Sequence, residues 1–238
     1  MLPFKRILLK LSGEMLAADG GRGLAGDAIT LQAEEIREAH ATGVQIAVVI
    51  GAGNLVRGAG PNRHDLEISQ QHMDTMGMLA TAINCTALKD QLESMGVPVV
   101  HMSAFADIPF TTPLDARKAQ KKLAGGAVVL FSGGTGLPFF STDTAAVVRG
   151  LQIEVDVVLK ATHADGIYDR DPKEPGAKKF DDISHQEALA RQLRFMDLAA
   201  LALAAQHEVS VHVFNAHVKG NLARAVRDDV ECSRMRTK

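Results

Sequence analysis

Apolar residues fall into short runs of strand length at Ile7–Leu11, Val44–Ile50, Val97–His101, Ala127–Phe131, Val155–Leu159 and Val209–Phe214. Most of the runs are continuous rather than alternating. Strands covered on both faces read this way, which predicts a parallel sheet flanked by helices. Between the runs, apolar positions recur at helical spacing. Asp27 is placed to cap a helix carrying Ile29, Ala33 and Ile36, and Gly43 to stop it. Met76 to Met95 is long, Ala/Leu/Met-rich and apolar at its start, which predicts a helix covered either by the core or at an interface between copies. Asp115 to Leu123 predicts another, ending at Gly125-Gly126, and its Lys118, Lys121 and Lys122 read as a solvated face. Ser184 and Glu187 have capping-box spacing before a further helix. Strands alternating with helices define an α/β fold. No Pro/Gly/Ser linker splits the chain, so residues 1–238 read as one domain. Arg224 to Lys238 is basic and polar and is expected to fray.

Composition narrows the function. The chain is 46% hydrophobic but only 4% aromatic, with no Trp and 1 Tyr. Platforms for stacking nucleic-acid bases are therefore scarce. Lys and Arg number 26 against 28 Asp and Glu, so there is no overall basic footprint either. Cys85 and Cys232 are too few for a disulfide framework or a four-ligand zinc site and read as free thiols in a reducing cytoplasm. The apolar run after Lys5 and Arg6 is too short for a signal peptide, and no run approaches the roughly 18 residues of a membrane span. These features predict a soluble cytoplasmic protein.

Four loops carry candidate chemistry, each after an apolar strand. Lys10-Leu11-Ser12-Gly13 offers a cation, a hydroxyl and close backbone approach, which suits a phosphate. Gly51-Ala52-Gly53-Asn54 with Arg57-Gly58 offers small residues and a guanidinium. Ser132 to Asp143 is dense in glycines and hydroxyls and leads into a helix near Thr144, with Thr142 or Asp143 as its expected cap. Lys160 to Pro172 holds Asp-Gly and Asp-Pro turns and the chain's one tyrosine, Tyr168. In an open α/β sheet, the carboxyl ends of the strands are where ligands bind.

Several signatures fail. There is no Walker loop and no GxSxG elbow. Gly21 to Gly26 matches GxGxxG, but Glu14 to Gly20 separates it from the preceding strand, so it reads as a decoy. The 9 histidines show no HExxH pairing, and His101, His185 and His212 read as structural or surface residues. Cations, backbone N–H groups and few nucleophiles fit phosphoryl transfer, which is mostly positioning and charge neutralisation. The residues alone predict a nucleotide- or phosphate-handling α/β protein and leave the substrate open.

The ordered set of motifs resembles the amino acid kinase family, and within it a bacterial branch that phosphorylates UMP. The resemblance spans nearly the whole chain. It rests on Arg6 to Glu14, Val48 to Gly51, Gly53 to Gly58, Asp74 to Thr81, Gly134 to Gly136 with Pro138 to Phe140, Asp156 to Thr162, Asp165-Gly166, Met196-Asp197 and Val213 to Asn215. It implies a three-layer αβα sandwich around a mainly parallel sheet. The acceptor part would lie at about 1–150 and the ATP part at about 151–238. It implies transfer of the ATP γ-phosphate to UMP, with Mg²⁺ carried by ATP and no dedicated protein metal site. Lys10, Leu11, Ser12, Gly13, Gly53 and Arg57 would hold the ATP phosphates, with Lys10 neutralising the transferred group. Thr162, Tyr168 and Asp171 would hold the adenosine. Ala52 would lie beside the UMP phosphate and Asp74 would accept from its ribose. Thr135, Gly136, Leu137, Pro138, Phe139, Phe140, Ser141 and Thr142 would wrap the UMP. Asp143 and Asp197 would organise lysine, Mg²⁺ and water. A homohexamer with GTP activation and UTP inhibition is also implied, with neither nucleic acid nor membrane as partner.

The chain departs from that pattern at four positions. Ala52 stands for a usual Gly, Leu137 for an Asn, His163 for a Lys, and Gln70 for an Arg. Two alternatives follow: a kinase of the same fold with another acceptor, or a non-catalytic nucleotide-binding storage or regulatory protein.

Overall fold

The computed structural model describes residues 2–18, 20–56 and 68–237. The chain opens with β1 (Arg6–Leu11), a 3-10 turn (Gly13–Leu16), α1 (Gly26–His40), β2 (Gln45–Ile50) and α2 (Gln70–Ser94). Next come β3 (Val99–Ser103), β4 (Thr112–Pro113), α3 (Ala116–Ala124), β5 (Val128–Ser132), α4 (Thr142–Ile153) and β6 (Val157–Thr162). The remainder holds β7 (Ile167–Tyr168), β8 (Lys179–Phe180), β9 (Asp182–Ile183), α5 (His185–Ala190), α6 (Leu198–Gln206), β10 (Val211–Asn215), α7 (Asn221–Ala225) and β11 (Cys232–Met235).

Among the described residues, nine strands form one sheet in the order β4-β3-β5-β2-β1-β6-β10-β11-β9. Every pairing is parallel except β10 with β11. Side chains alternate between its two faces. Ile7, Leu9 and Leu11 of β1 join a core with Ala33 and Ile36 of α1, Leu88 of α2 and Leu222 of α7. Leu8 joins a second core with Leu123 of α3, Val147 of α4, Ala188 of α5 and Leu201 of α6. Two cores, one on each face, make the expected three-layer αβα sandwich. Burying both faces explains the unbroken apolar runs.

Several local expectations change. Ala25, not Asp27, precedes the first turn of α1, and Asp27 lies inside that turn, where a negative charge suits the helix dipole. The helix expected from Met76 starts at Gln70 and is capped by Ser69. Its start is only half covered: Met76, Leu79 and Ile83 are exposed. The strand expected at Val97–His101 runs instead over Val99–Ser103. The segment expected to fray holds β11, which pairs with β10 and β9 through backbone bonds that need no apolar run. Other expectations hold. Asp115 and Ser184 cap α3 and α5, and His101, His185 and His212 are buried. The Gly21–Gly26 segment packs beside the loop after β2, where Gly23 N–H donates to the Asn54 carbonyl. No helix of the described residues is long and apolar enough to cross a membrane.

Candidate functional site

Because β1, β2, β5 and β6 run parallel, the four loops after them emerge along one edge of the sheet. The register puts Lys10 of β1 directly beside Lys160 of β6. Lys10 shares the face of Leu8, two residues back, and Lys160 that of Val158; this is the face covered by α4. Asp143 lies in the first turn of α4. Its Oδ1 is 2.9 Å from Lys10 Nζ and its Oδ2 is 2.6 Å from Lys160 Nζ. All three side chains are largely buried.

Burial disfavours charge on each group. For Asp143, burial is outweighed by the two ammonium groups, first Lys10 and then Lys160, and the carboxyl stays below its usual range. For Lys160, burial and then the like charge of Lys10 outweigh the pull of Asp143, and the amine is pushed down to about 8. Two cations on one carboxylate leave an excess positive charge in a cleft, a setting for a polyanion.

Lys160 was not among the expected site residues. In the sequence it reads only as the first residue of the fourth loop, just past the apolar run Val155–Leu159; β6 in fact extends to Thr162, and strand parity beside Lys10 turns the side chain into the site. The cap of α4 is Ser141 rather than Thr142 or Asp143: Ser141 Oγ accepts from the N–H groups of Asp143 and Thr144. That leaves the Asp143 carboxylate to the lysines. Asp197 caps α6, accepting from Ala200 N–H at 3.0 Å. It also accepts from Ser141 Oγ and, at 2.9 Å, from Thr144 Oγ1. It thus ties α6 to the start of α4 and pulls electrostatically on Lys160.

Asp74 projects from α2 to the loop after β5. Its Oδ2 accepts from Phe139 N–H at 2.8 Å and its Oδ1 from Gln70 Nε2 at 2.6 Å. Thr81 Oγ1 accepts from Gly133 N–H at 2.8 Å, a second link between α2 and that loop. Gly133, Gly134 and Gly136 have positive φ, as does Phe139 at 70°. A non-glycine residue there stores strain, a pattern that clusters at ligand sites. Leu137, Phe139 and Phe140 are exposed on this loop, while Thr135 Oγ1 closes it by accepting from Leu137 N–H. Pro138 is half-buried beside them. Thr142 Oγ1 approaches Gly51, which brings the loops after β2 and β5 together around Ala52.

On the other side of Lys160 lies a cleft of about 720 Å³, lined by Thr162, Tyr168, Asp171 and Phe195. A second cleft of about 500 Å³ reaches Asp143, Lys160, Met196 and Asp197. Lys160 lines both. Tyr168 donates its hydroxyl proton to Asp165 at 2.7 Å. Leu11 has its side chain in the core, and its carbonyl accepts from Gly51 N–H, so it spaces Lys10 from Ser12. Gly13 packs so tightly on Gly51 and Asn54 that a β-carbon would collide with both. Gly53 faces Glu14. Arg57 lies outside the described residues. His163 stacks on His217, the ring centroids 4.3 Å apart, with Glu14 3.8 Å from its Nε2; no motif marks His217.

A parallel αβα sandwich with a two-lysine socket at its strand ends, and no Walker loop, defines a class of phosphate-handling protein. The model of the amino acid kinase family matches residues 5–215, and the chain belongs to that family. It is 43% identical to a uridylate kinase of Stutzerimonas stutzeri, covering 96% of this chain and 92% of that one. It is 44% identical to a uridylate kinase of Pseudomonas aeruginosa, covering 94% of this chain and 91% of that one. Among solved structures, the UMP kinase of Bacillus anthracis superposes with a TM-score of 0.92 at 30% identity, covering 98% of this chain and 96% of its own. The UMP kinase of Ureaplasma parvum gives 0.90 at 29% identity, over 98% and 99%.

Proposed function

We infer that the chain is an enzyme that transfers the γ-phosphate of ATP to UMP, giving ADP and UDP. The observation that carries this reading is the Lys10–Asp143–Lys160 socket at the strand ends. The relatives and structures named above are all uridylate or UMP kinases, which favours UMP over another acceptor and over a non-catalytic carrier.

The chemistry needs little from the protein beyond placement and charge. An oxygen of the UMP phosphate, already anionic, attacks the γ-phosphorus in line, and the bond to the bridging oxygen breaks. No general base is required. Lys10 and Lys160 stabilise the negative charge spread over the transferring group, while Asp143 fixes both ammonium groups in advance. Gly13 and Gly53 let backbone approach the donor phosphates. Thr162, Tyr168 and Asp171 take the adenosine side of the larger cleft. Asp74 and the loop Thr135–Thr142 take UMP, beside Ala52.

Each Asp143 oxygen lies within ion-pair distance of a lysine, although buried Oδ1 accepts no hydrogen bond among the described residues, and the Asp197 oxygens accept from hydroxyls and an N–H. This donor set suits Mg²⁺ held by the phosphates of ATP rather than by the protein, where it neutralises their charge. The same reading includes an acceptor part at about 1–150 and a donor part at about 151–238. It also includes a cytoplasmic homohexamer, activated by GTP and inhibited by UTP.

A coupled ADP-release assay with MgATP tests it over UMP, CMP, dUMP, acetylglutamate, aspartate and carbamate. UMP should give the highest kcat/KM. Tight ATP binding with no ADP formed from UMP would overturn the reading.

A further inference from the structure

Asn54 and Asn84 face each other across a buried gap, both almost wholly excluded from solvent. Asn54 lies in the loop after β2, and Asn84 in the middle of α2. Each amide donates to the other: Asn54 Nδ2 to Asn84 Oδ1 at 3.0 Å, and Asn84 Nδ2 to Asn54 Oδ1 at 2.9 Å. The second hydrogen of each amide is also used. Asn84 Nδ2 donates to the Gly51 carbonyl at 2.7 Å, and Asn54 Nδ2 to the Gly23 carbonyl at 2.8 Å. A primary amide has two N–H donors, so neither residue has one left over.

A primary amide offers two donors and an acceptor oxygen on one planar group, which is what this reciprocal pair uses. An apolar pair would fill the gap without fixing the loop, since packing alone is not directional. Gly13 lies against this pair, its missing side chain leaving room for Asn54 Oδ1 and the Gly51 carbonyl. The loops after β1 and β2 are thus registered on one face of α2. One helical turn earlier, Thr81 holds the loop after β5 through Gly133 N–H. Nearer the start of the same helix, Asp74 holds Phe139 N–H. One rigid helix therefore spans the loops assigned to donor phosphates and those assigned to the acceptor.

We propose that Asn84, acting through Asn54, is a positioning residue for phosphoryl transfer, setting the separation of donor and acceptor phosphates. This rests on the UMP kinase reading above. In-line transfer is sensitive to misplacement of about 1 Å, which costs on the order of 100-fold in rate. Neither amide is assigned a contact with the reacting atoms, so the effect should fall on the rate and not on binding.

The test is steady-state kinetics on Asn84→Ala, Asn54→Ala and the double variant, each checked for folding by circular dichroism and thermal melting. Each single variant should lower kcat by about 10- to 100-fold, leaving KM for ATP and for UMP within about threefold. The double variant should lose no more than the worse single one, because the pair acts as a unit. The proposal is overturned by a folded variant with near-parental kcat, by a loss confined to one KM, or by additive losses. It is overturned too if neither single variant folds, since the pair would then serve the fold alone. A parent protein that makes no ADP from UMP refutes the functional reading itself, an outcome distinct from active parent and unaffected variants.

Discussion

Lys160 stands directly opposite Lys10 in the parallel register of β1 and β6, and the two ammonium groups share the single carboxylate of Asp143. Like charges this close are tolerated because Asp143 bridges them. Replacing Asp143 by Asn would leave two buried cations without their counter-charge and free to move. Asp143→Asn is expected to lower kcat by roughly 100- to 1,000-fold. Steady-state rates with saturating MgATP and UMP check it, and a loss under tenfold would remove Asp143 from its assigned role.

The same relationship predicts an alkaline limb. Lys160 is held down to about 8 by burial and by Lys10. Raising the pH through that value removes its charge, so kcat/KM for ATP should fall above about pH 8. Lys160→Arg should carry the limb beyond the measurable range, because a guanidinium does not deprotonate there. Stability moves the other way. Between about pH 8 and the ordinary lysine range the unfolded chain binds a proton that the folded chain has lost, so this group adds stability as pH rises. pH–rate profiles and melting curves of parent and variant separate the two effects.

Asp74 divides acceptor from donor. Asp74→Asn removes the charge and one of the two acceptor oxygens that hold Phe139 and Gln70. It should raise KM for UMP about tenfold while KM for ATP changes less than twofold. Equal effects on the two constants would move Asp74 out of the acceptor site.

Acid stability rests partly on two buried histidines. His101 and His212 are each lowered to about 4, chiefly by burial, with Lys89 adding to the effect at His101. As pH falls from about 6.5 towards 4, the unfolded chain takes up protons that the folded chain refuses, and stability is lost. His101→Asn and His212→Asn, compared with parent, should show a shallower decline of melting temperature over that window. Parallel curves would assign the acid limb to carboxylates instead.

Exposed Met76, Leu79 and Ile83 follow helical spacing along α2. On the homohexamer reading proposed above, this stripe is the candidate association surface. Leu79→Glu with Ile83→Glu should shift the assembly to smaller species by sedimentation or light scattering, and leave the monomer's circular dichroism unchanged.

The sheet was legible because its strands are buried on both faces and therefore read as unbroken apolar runs. The strand-end loops followed from glycine and hydroxyl density. Lys160 was legible as the first residue of a strand-end loop, but its place beside Lys10 was not, because it depends on two strands that are distant in sequence. Ser141 and Asp143 are both competent caps, and only the lysines brought from β1 and β6 decide which residue caps. The apolar start of α2 read equally as core or as interface, since periodicity does not say whether the covering surface is the chain's own. The Asn54–Asn84 pair left no local signal, because its meaning lies in a contact between a loop and a distant helix.

The central place of β1 has a cost in folding. One flank of β1 is covered early, by β2, but the other waits for β6, whose Lys160 pairs with Lys10 from 150 positions downstream. Until those residues join, Ile7 to Leu11 presents a bare, almost wholly apolar edge, the kind that recruits other chains. Such distant pairing also slows the search for the native state. A fragment of residues 1–150 is therefore expected to precipitate, and refolding of the whole chain to lose yield steeply as concentration rises.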